Sequence, residues 1–112
     1  MLPRKNLVPL KKEFPRIRQK GKIYDCPSFG LIVSYGTGSG PQASFIVSKK
    51  VDKKSVIRHE IKRKLADAIT LFLPNLGNNV ELVFLAKTRA KTTTKEELHS
   101  EIESALKRAR LV

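Results

Sequence analysis

The chain has no tryptophan, one methionine, one cysteine and only ten carboxylates, set against 23 lysines and arginines. Each shortage excludes something. A lone Cys26 rules out an internal disulfide and any cysteine-rich zinc site, which suits a reducing compartment. No apolar run approaches the length of a membrane span, and the first residues lack the apolar stretch of a secretory signal, so the expected localisation is cytoplasmic. There are two histidines, His59 and His99, and no second histidine or carboxylate cluster is spaced to help His59, which leaves an acid–base or metal centre poorly supplied. The shortage of acid is the most informative. The formal net charge is +13, and it is unevenly spread: residues 1–64 hold 16 basic and 4 acidic side chains, a net of +12, whereas residues 65–112 hold 7 and 6, a net of +1. Self-repulsion on this scale opposes a compact state unless a counter-charge relieves it. A nucleic acid is the leading partner and an anionic membrane surface the competitor.

At 112 residues the chain suits one domain, spanning residues 1–112 and able to bury roughly two-thirds of its unfolded surface. Residues 1–13, with Pro3 and Pro9, read as a basic, irregular N-terminal arm. Pro15 suits the first turn of a short helix running to about Lys20 and stopping at Gly21. Alternation predicts strands over 29–35, 43–48 and 80–87, with Phe29, Phe45 and Phe84 in the core. The glycine-rich link at 36–41 is not followed by Gly-Lys-Ser/Thr, so it is no phosphate-binding loop. A helix is predicted from about Lys54 or Ser55 to Leu73, closed by Pro74. A second starts at the Thr94-x-x-Glu97 capping box and buries Leu98, Ile102, Ala105, Leu106 and Ala109, with His99 facing solvent. The resulting element order, αββαβα, gives a small α/β sandwich. The helix between the second and third strands serves as a basic crossover between parallel strands.

The densest signal lies at 48–65. Lys49, Lys50, Lys53, Lys54, Arg58, Lys62, Arg63 and Lys64 crowd one turn and helix, opposed only by Asp52 and Glu60. The same helix keeps an apolar stripe at Ile57, Ile61, Leu65, Ala68, Ile69 and Phe72. That stripe is needed by the core, so membrane binding is disfavoured and the expected partners include no membrane and no obligate protein. The helix then offers cations on its free side.

These residues resemble the protein component of bacterial ribonuclease P. The match is Ser48-Lys49-Lys50-Val51, a spacer, and Arg58-His59-Glu60-Ile61-Lys62-Arg63, where the family shows Ser-Lys-Lys-Val/Ile and Arg-Asn-Arg-x-Lys-Arg. The basic arm before Glu13-Phe14, Gly21, Phe29 and Leu85-Ala86-Lys87 follow in the family's order, so the resemblance covers nearly the whole chain. It implies an α+β fold of the ribosomal-protein-S5-domain-2-like kind. It also implies a role as the accessory subunit of an endoribonuclease that trims the 5′ leader from precursor tRNA, with the catalytic centre in the RNA and no catalytic residue in the chain. The implied partners are ribonuclease P RNA and precursor tRNA. The implied cofactor is a divalent metal ion, magnesium, held mainly by the RNA.

By the same resemblance Lys49, Lys50, Lys53, Arg58, His59, Lys62 and Arg63 would contact RNA. Phe14, Arg18, Ile32, Ile46, Ser48 and Lys87 would hold the single-stranded leader. His59 stands where the family has Asn, and Glu60 where it has a second Arg; Glu60 is expected either to pair with Lys64 one turn on or, with His59, to help hold a metal ion. Arg18 and Ile32 stand where relatives often carry aromatics. Two other readings stay open from the residues: a ribosomal-type RNA-binding protein with no role in cleavage, and a nuclease using His59 and Glu60 with a metal.

Overall fold

The structure, a computed structural model, describes residue 6 and residues 10–36, 40–77 and 79–112. Its elements run α1 (Leu10–Lys20), β1 (Lys22–Asp25), β2 (Phe29–Tyr35), β3 (Gln42–Ile46), α2 (Ser55–Thr70), β4 (Val80–Ala86) and α3 (Lys95–Arg108), with single 3-10 turns at Leu73–Asn75 and Thr88–Lys91. The four strands form one mixed sheet in the order β1-β2-β4-β3. β2 pairs antiparallel with β1 and β4, and β3 runs parallel to β4, so α2 is the crossover that the sequence predicts.

Three expectations need correcting, and a fourth, the stop at Gly21, holds for a reason of packing. The order is αβββαβα, not αββαβα, because β1 precedes the first predicted strand. It is a four-residue edge strand with Ile23 60% exposed and only Tyr24 packing on the core, too little alternation to stand out. α1 begins at Leu10 with Pro15 inside it, so residues 10–13 are helical rather than part of an irregular arm; residues 1–5 and 7–9 of that arm lie outside the described residues. Pro15 costs only the bond that its nitrogen would have made back along a helix barely past its first turn. α2 ends at Thr70, three residues early. Pro74 has no N–H for the Thr70 carbonyl, so the chain tightens into the 3-10 turn that contains Pro74. Gly21 ends α1 without a left-handed φ. Its nitrogen donates to the Ile17 carbonyl at 2.6 Å, and a Cβ there would lie 2.5 Å from that oxygen and from Ile32 Cγ2, so close approach is what excludes a side chain.

Both sheet faces are covered. On one, Leu31 and Val33 of β2, Phe45 of β3 and Leu82 and Phe84 of β4 meet Ile61, Leu65 and Ile69 of α2 and Leu98, Ile102 and Leu106 of α3. Phe84 is the hub, with Phe29 edge-on at 5.2 Å and Phe45 stacked at 5.4 Å between centroids. On the other face a smaller cluster of Ile17, Ile32 and Val83 sits under α1, flanked by Phe14, Ile46 and Leu85. α3 is fixed at its start by the expected capping box: the Thr94 hydroxyl accepts from the Glu97 N–H, and the Glu97 carboxylate accepts from the Thr94 N–H, each at 3.1 Å. Among the described residues no helix is long and apolar enough to cross a membrane.

Candidate nucleic-acid interface

The segment from Ser48 to Lys54 joins β3 to α2 and carries four of the lysines. Val51 anchors it: the side chain is buried in the core, and its N–H closes a turn onto the Ser48 carbonyl at 3.1 Å. Burying the one apolar residue of the segment pushes Lys49, Lys50, Lys53 and Lys54 outward, and all four are exposed. Asp52 then turns inward. One carboxylate oxygen accepts the Lys54 N–H at 2.8 Å, and the other pairs with Lys91 Nζ at 3.1 Å. The Lys54 hydrogen bond, and then Lys91, hold the Asp52 carboxyl below its usual range.

Arg58 has a different place from the one its type suggests. Its Nη1 donates to the Asp52 carbonyl at 3.1 Å and the Lys53 carbonyl at 2.8 Å, so part of the guanidinium closes the loop from the first turn of α2. His59 and Arg63 are exposed one turn apart, and with Ser55, Val56 and Glu60 they line a shallow open depression; Lys62 is half-buried on the neighbouring flank. The expected Glu60–Lys64 pair does not form. Lys64 Nζ turns the other way and donates to the Ala90 and Thr93 carbonyls at 3.0 and 2.9 Å, where the Thr88–Lys91 turn leaves acceptors unpaired.

Nor do His59 and Glu60 build a metal site. They are adjacent in sequence on a helix and so point about 100° apart, and among the described residues no three His, Cys, Asp or Glu side chains converge. This donor set does not fit a resident divalent ion.

The leader-binding set falls on the α1 face of the sheet, and the register sorts it. Ile32 pairs with Val83, and Val83 with Ser44, in a row that α1 covers. Ile32 is 1% exposed and offers nothing to a ligand, which corrects its place in that set. The next row, Gly30, Leu85 and Ile46, is covered less fully: Leu85 and Ile46 are half-buried against the same cluster, and Gly30, though buried, has no atom within 4 Å of where a Cβ would stand. Half-buried Phe14 packs against the Ile17, Ile32 and Val83 cluster, with Arg18 exposed one turn further along α1. Ser48 is exposed beyond the end of β3. Lys87 is committed to the β1–β2 turn, donating to the Asp25 carboxylate and to the Cys26 carbonyl at 2.8 Å.

Sequence reasoning missed Leu85 as the half-buried apolar neighbour of Ile46 on this face. Alternation does place Leu85 beside Val83, but only the footprint of α1 shows which of that pair is only half-buried. It also missed the inward turn of Asp52 and the stacking of His99, half-buried against Phe72 at 4.9 Å between rings rather than solvent-facing. Elsewhere Glu81 is buried on the α1 face and receives both its bonds from Arg16 at 2.9 Å, which pins α1 to β4. Cys26 is buried between β1 and β2 with Arg108 Nη2 at 3.2 Å, and burial pushes its thiol up.

The class is thus a small basic α+β sandwich: a mixed sheet between one helix and two, a lysine-bearing loop leading into a basic crossover helix, and partly buried apolar side chains on the α1 face of the sheet. Known proteins share its fold and family. The family model described as Ribonuclease P matches residues 2–110. The ribonuclease P protein component of Clostridium novyi is 33% identical over 104 residues, covering 88% of each chain. That of Caldanaerobacter subterraneus is 34% identical over 113 residues, covering 96% of this chain and 94% of its own. Among solved structures, the Staphylococcus aureus RNase P protein superposes with a TM-score of 0.82 at 21% identity, covering 95% of this chain and 96% of its own, and shares the fold. The chain belongs to the ribonuclease P protein family, and so to the protein subunits of an endoribonuclease.

Proposed function

We propose that this chain binds ribonuclease P RNA through the Lys49, Lys50 and Lys53 loop and the His59, Lys62 and Arg63 side of α2, and receives the single-stranded 5′ leader of precursor tRNA on the apolar patch of Phe14, Ile46 and Leu85. The observation that carries this reading is the juxtaposition itself. β3 ends at half-buried Ile46 beside Leu85 and runs within a few residues into the lysine loop, so one strand end joins a partly exposed apolar patch to a cationic edge. Phosphates on the loop and bases over the patch require no particular sequence, which suits a protein serving many precursors.

The chain brings no nucleophile or general base to this surface. Its part is electrostatic and positional: neutralising RNA phosphates lowers the repulsion between catalytic RNA and substrate, and so favours the divalent ions, magnesium above all, that the RNA would hold. Arg58 acts partly through the loop that it closes, Arg18 as an exposed cation beside the patch, and Ser48 at the junction of the two surfaces. Lys87 shapes the edge of the patch from its bonds to the β1–β2 turn. A cytoplasmic location follows from these partners.

The test is cleavage of a precursor tRNA by a bacterial ribonuclease P RNA at low magnesium, with and without the protein. Restored cleavage at the mature 5′ end is expected. Salt-sensitive RNA binding with no stimulation would instead favour an RNA-binding protein of ribosomal type with no role in cleavage.

A further inference from the structure

A carboxylate in the middle of a cationic docking loop should oppose a polyanion. Asp52 sits among Lys49, Lys50, Lys53 and Lys54, and simple Coulomb reasoning makes it a liability. The geometry says otherwise. None of these four lysine side chains forms an ion pair with an acid among the described residues, although the Lys54 charge adds a minor share to holding the Asp52 carboxyl down. Its two oxygens go instead to the Lys54 backbone N–H at 2.8 Å and to Lys91 Nζ at 3.1 Å, on the Thr88–Lys91 turn after β4. On the other side of the same residue, the backbone carbonyl accepts from Arg58 Nη1 at 3.1 Å.

We infer that Asp52 and Lys91 form a positioning bridge that holds the lysine loop in its RNA-binding shape, so that removing the negative charge weakens RNA binding rather than strengthening it. This rests on the reading of the loop as an RNA-docking surface. The physical basis is ordering cost. A loop of like charges repels itself open, and each side chain or backbone segment that must be fixed on binding subtracts from affinity. Val51 in the core, Asp52 on Lys91 and Arg58 on the 52 and 53 carbonyls fix the loop before RNA arrives. The depressed Asp52 carboxyl agrees, since its charged form is the one the fold stabilises.

The bridge separates positioning from charge because its two halves carry opposite sign. Asp52→Ala adds one positive charge and Lys91→Ala removes one. If charge alone matters, the first tightens RNA binding and the second weakens it. If the bridge positions the loop, both weaken it by about threefold or more, and the double variant is no weaker than the worse single.

The experiment is fluorescence anisotropy of a labelled bacterial ribonuclease P RNA with the full chain and the three variants across a salt series, with circular dichroism and thermal melting of each protein alongside. Asp52→Asn is included because it keeps an oxygen for the Lys54 N–H while losing the charge that holds Lys91, and it should lose less affinity than Asp52→Ala. Weakening in both singles at an unchanged salt slope is the expected result. Asp52→Ala binding as tightly as the parent or tighter overturns the inference. So does a salt slope that falls only for Lys91→Ala, which would make Lys91 a direct phosphate ligand. If the parent chain itself shows no salt-sensitive binding, the docking reading fails first, and that outcome is distinct from either.

Discussion

At the scale of single residues, two close-packed features are worth more than their exposed neighbours. Glu81 is 5% exposed beneath α1, and Arg16 Nη2 donates to both of its oxygens. Arg16→Ala strands a buried carboxylate, and urea unfolding should show a loss of about 2–4 kcal/mol, tempered because Arg16 itself is one-third exposed. Exposed ion pairs such as Lys107–Glu103 should move stability by well under about 1 kcal/mol when broken. Gly21 is the second feature. Gly21→Ala puts a methyl 2.5 Å from a backbone oxygen and should cost about 1–3 kcal/mol in the same assay. Neither was legible in the sequence: Glu81 reads as one polar residue in an apolar strand, and Gly21 as a helix stop. Both depend on where α1 lies across the sheet.

At the scale of elements, α3 is set by its own sequence. Thr94 and Glu97 bond each other's N–H groups, so Thr94→Ala should lower stability by about 1 kcal/mol. The Thr94 N–H holds the Glu97 carboxyl below its ordinary range, and the Lys54 N–H and Lys91 do the same for Asp52. Both groups bind protons more weakly when folded than when unfolded. Each therefore contributes stability that is fully present above its unfolded pKa, near 4.5 for Glu97 and 3.8 for Asp52, and lost as the pH falls through the lower folded value. Melting temperature should drop on the acid side of that range, and a Glu97→Gln, Asp52→Asn double variant should show a shallower drop. The lysine loop obeys a different logic. Its lysine content was plain in the sequence, but the inward turns of Asp52 and Lys64 were not, because their partners come from the Thr88–Lys91 turn and its flank, about 26 to 39 residues away.

At the scale of the molecule, the net charge of +13 is borne on a core that faces α2 and α3 on one side and α1 on the other. Cutting the hub with Phe84→Ala removes the ring between Phe29 and Phe45 and should cost about 3–5 kcal/mol, enough to threaten folding outright. The surface follows a separate rule. Lys49→Ala with Lys50→Ala should leave unfolding nearly unchanged yet reduce the log–log salt slope of RNA binding by roughly 0.7–0.9 for each phosphate no longer neutralised. An unchanged slope would place the docking face elsewhere.

By itself the sequence determined the class of fold, the crossover helix, the α3 cap and the aromatic core, because alternation, helical spacing and capping chemistry act between residues close along the chain. It also determined the net charge of +13 that points to a polyanionic partner, because charge adds whatever the fold. Only the tertiary structure decided which cations face outward, that Ile32 lies under α1 while Leu85 and Ile46 are only half-buried, and that a carboxylate inside the basic loop is committed to a lysine from another turn. Those outcomes depend on how one element crosses another. No local pattern encodes that crossing; packing of the whole core fixes it.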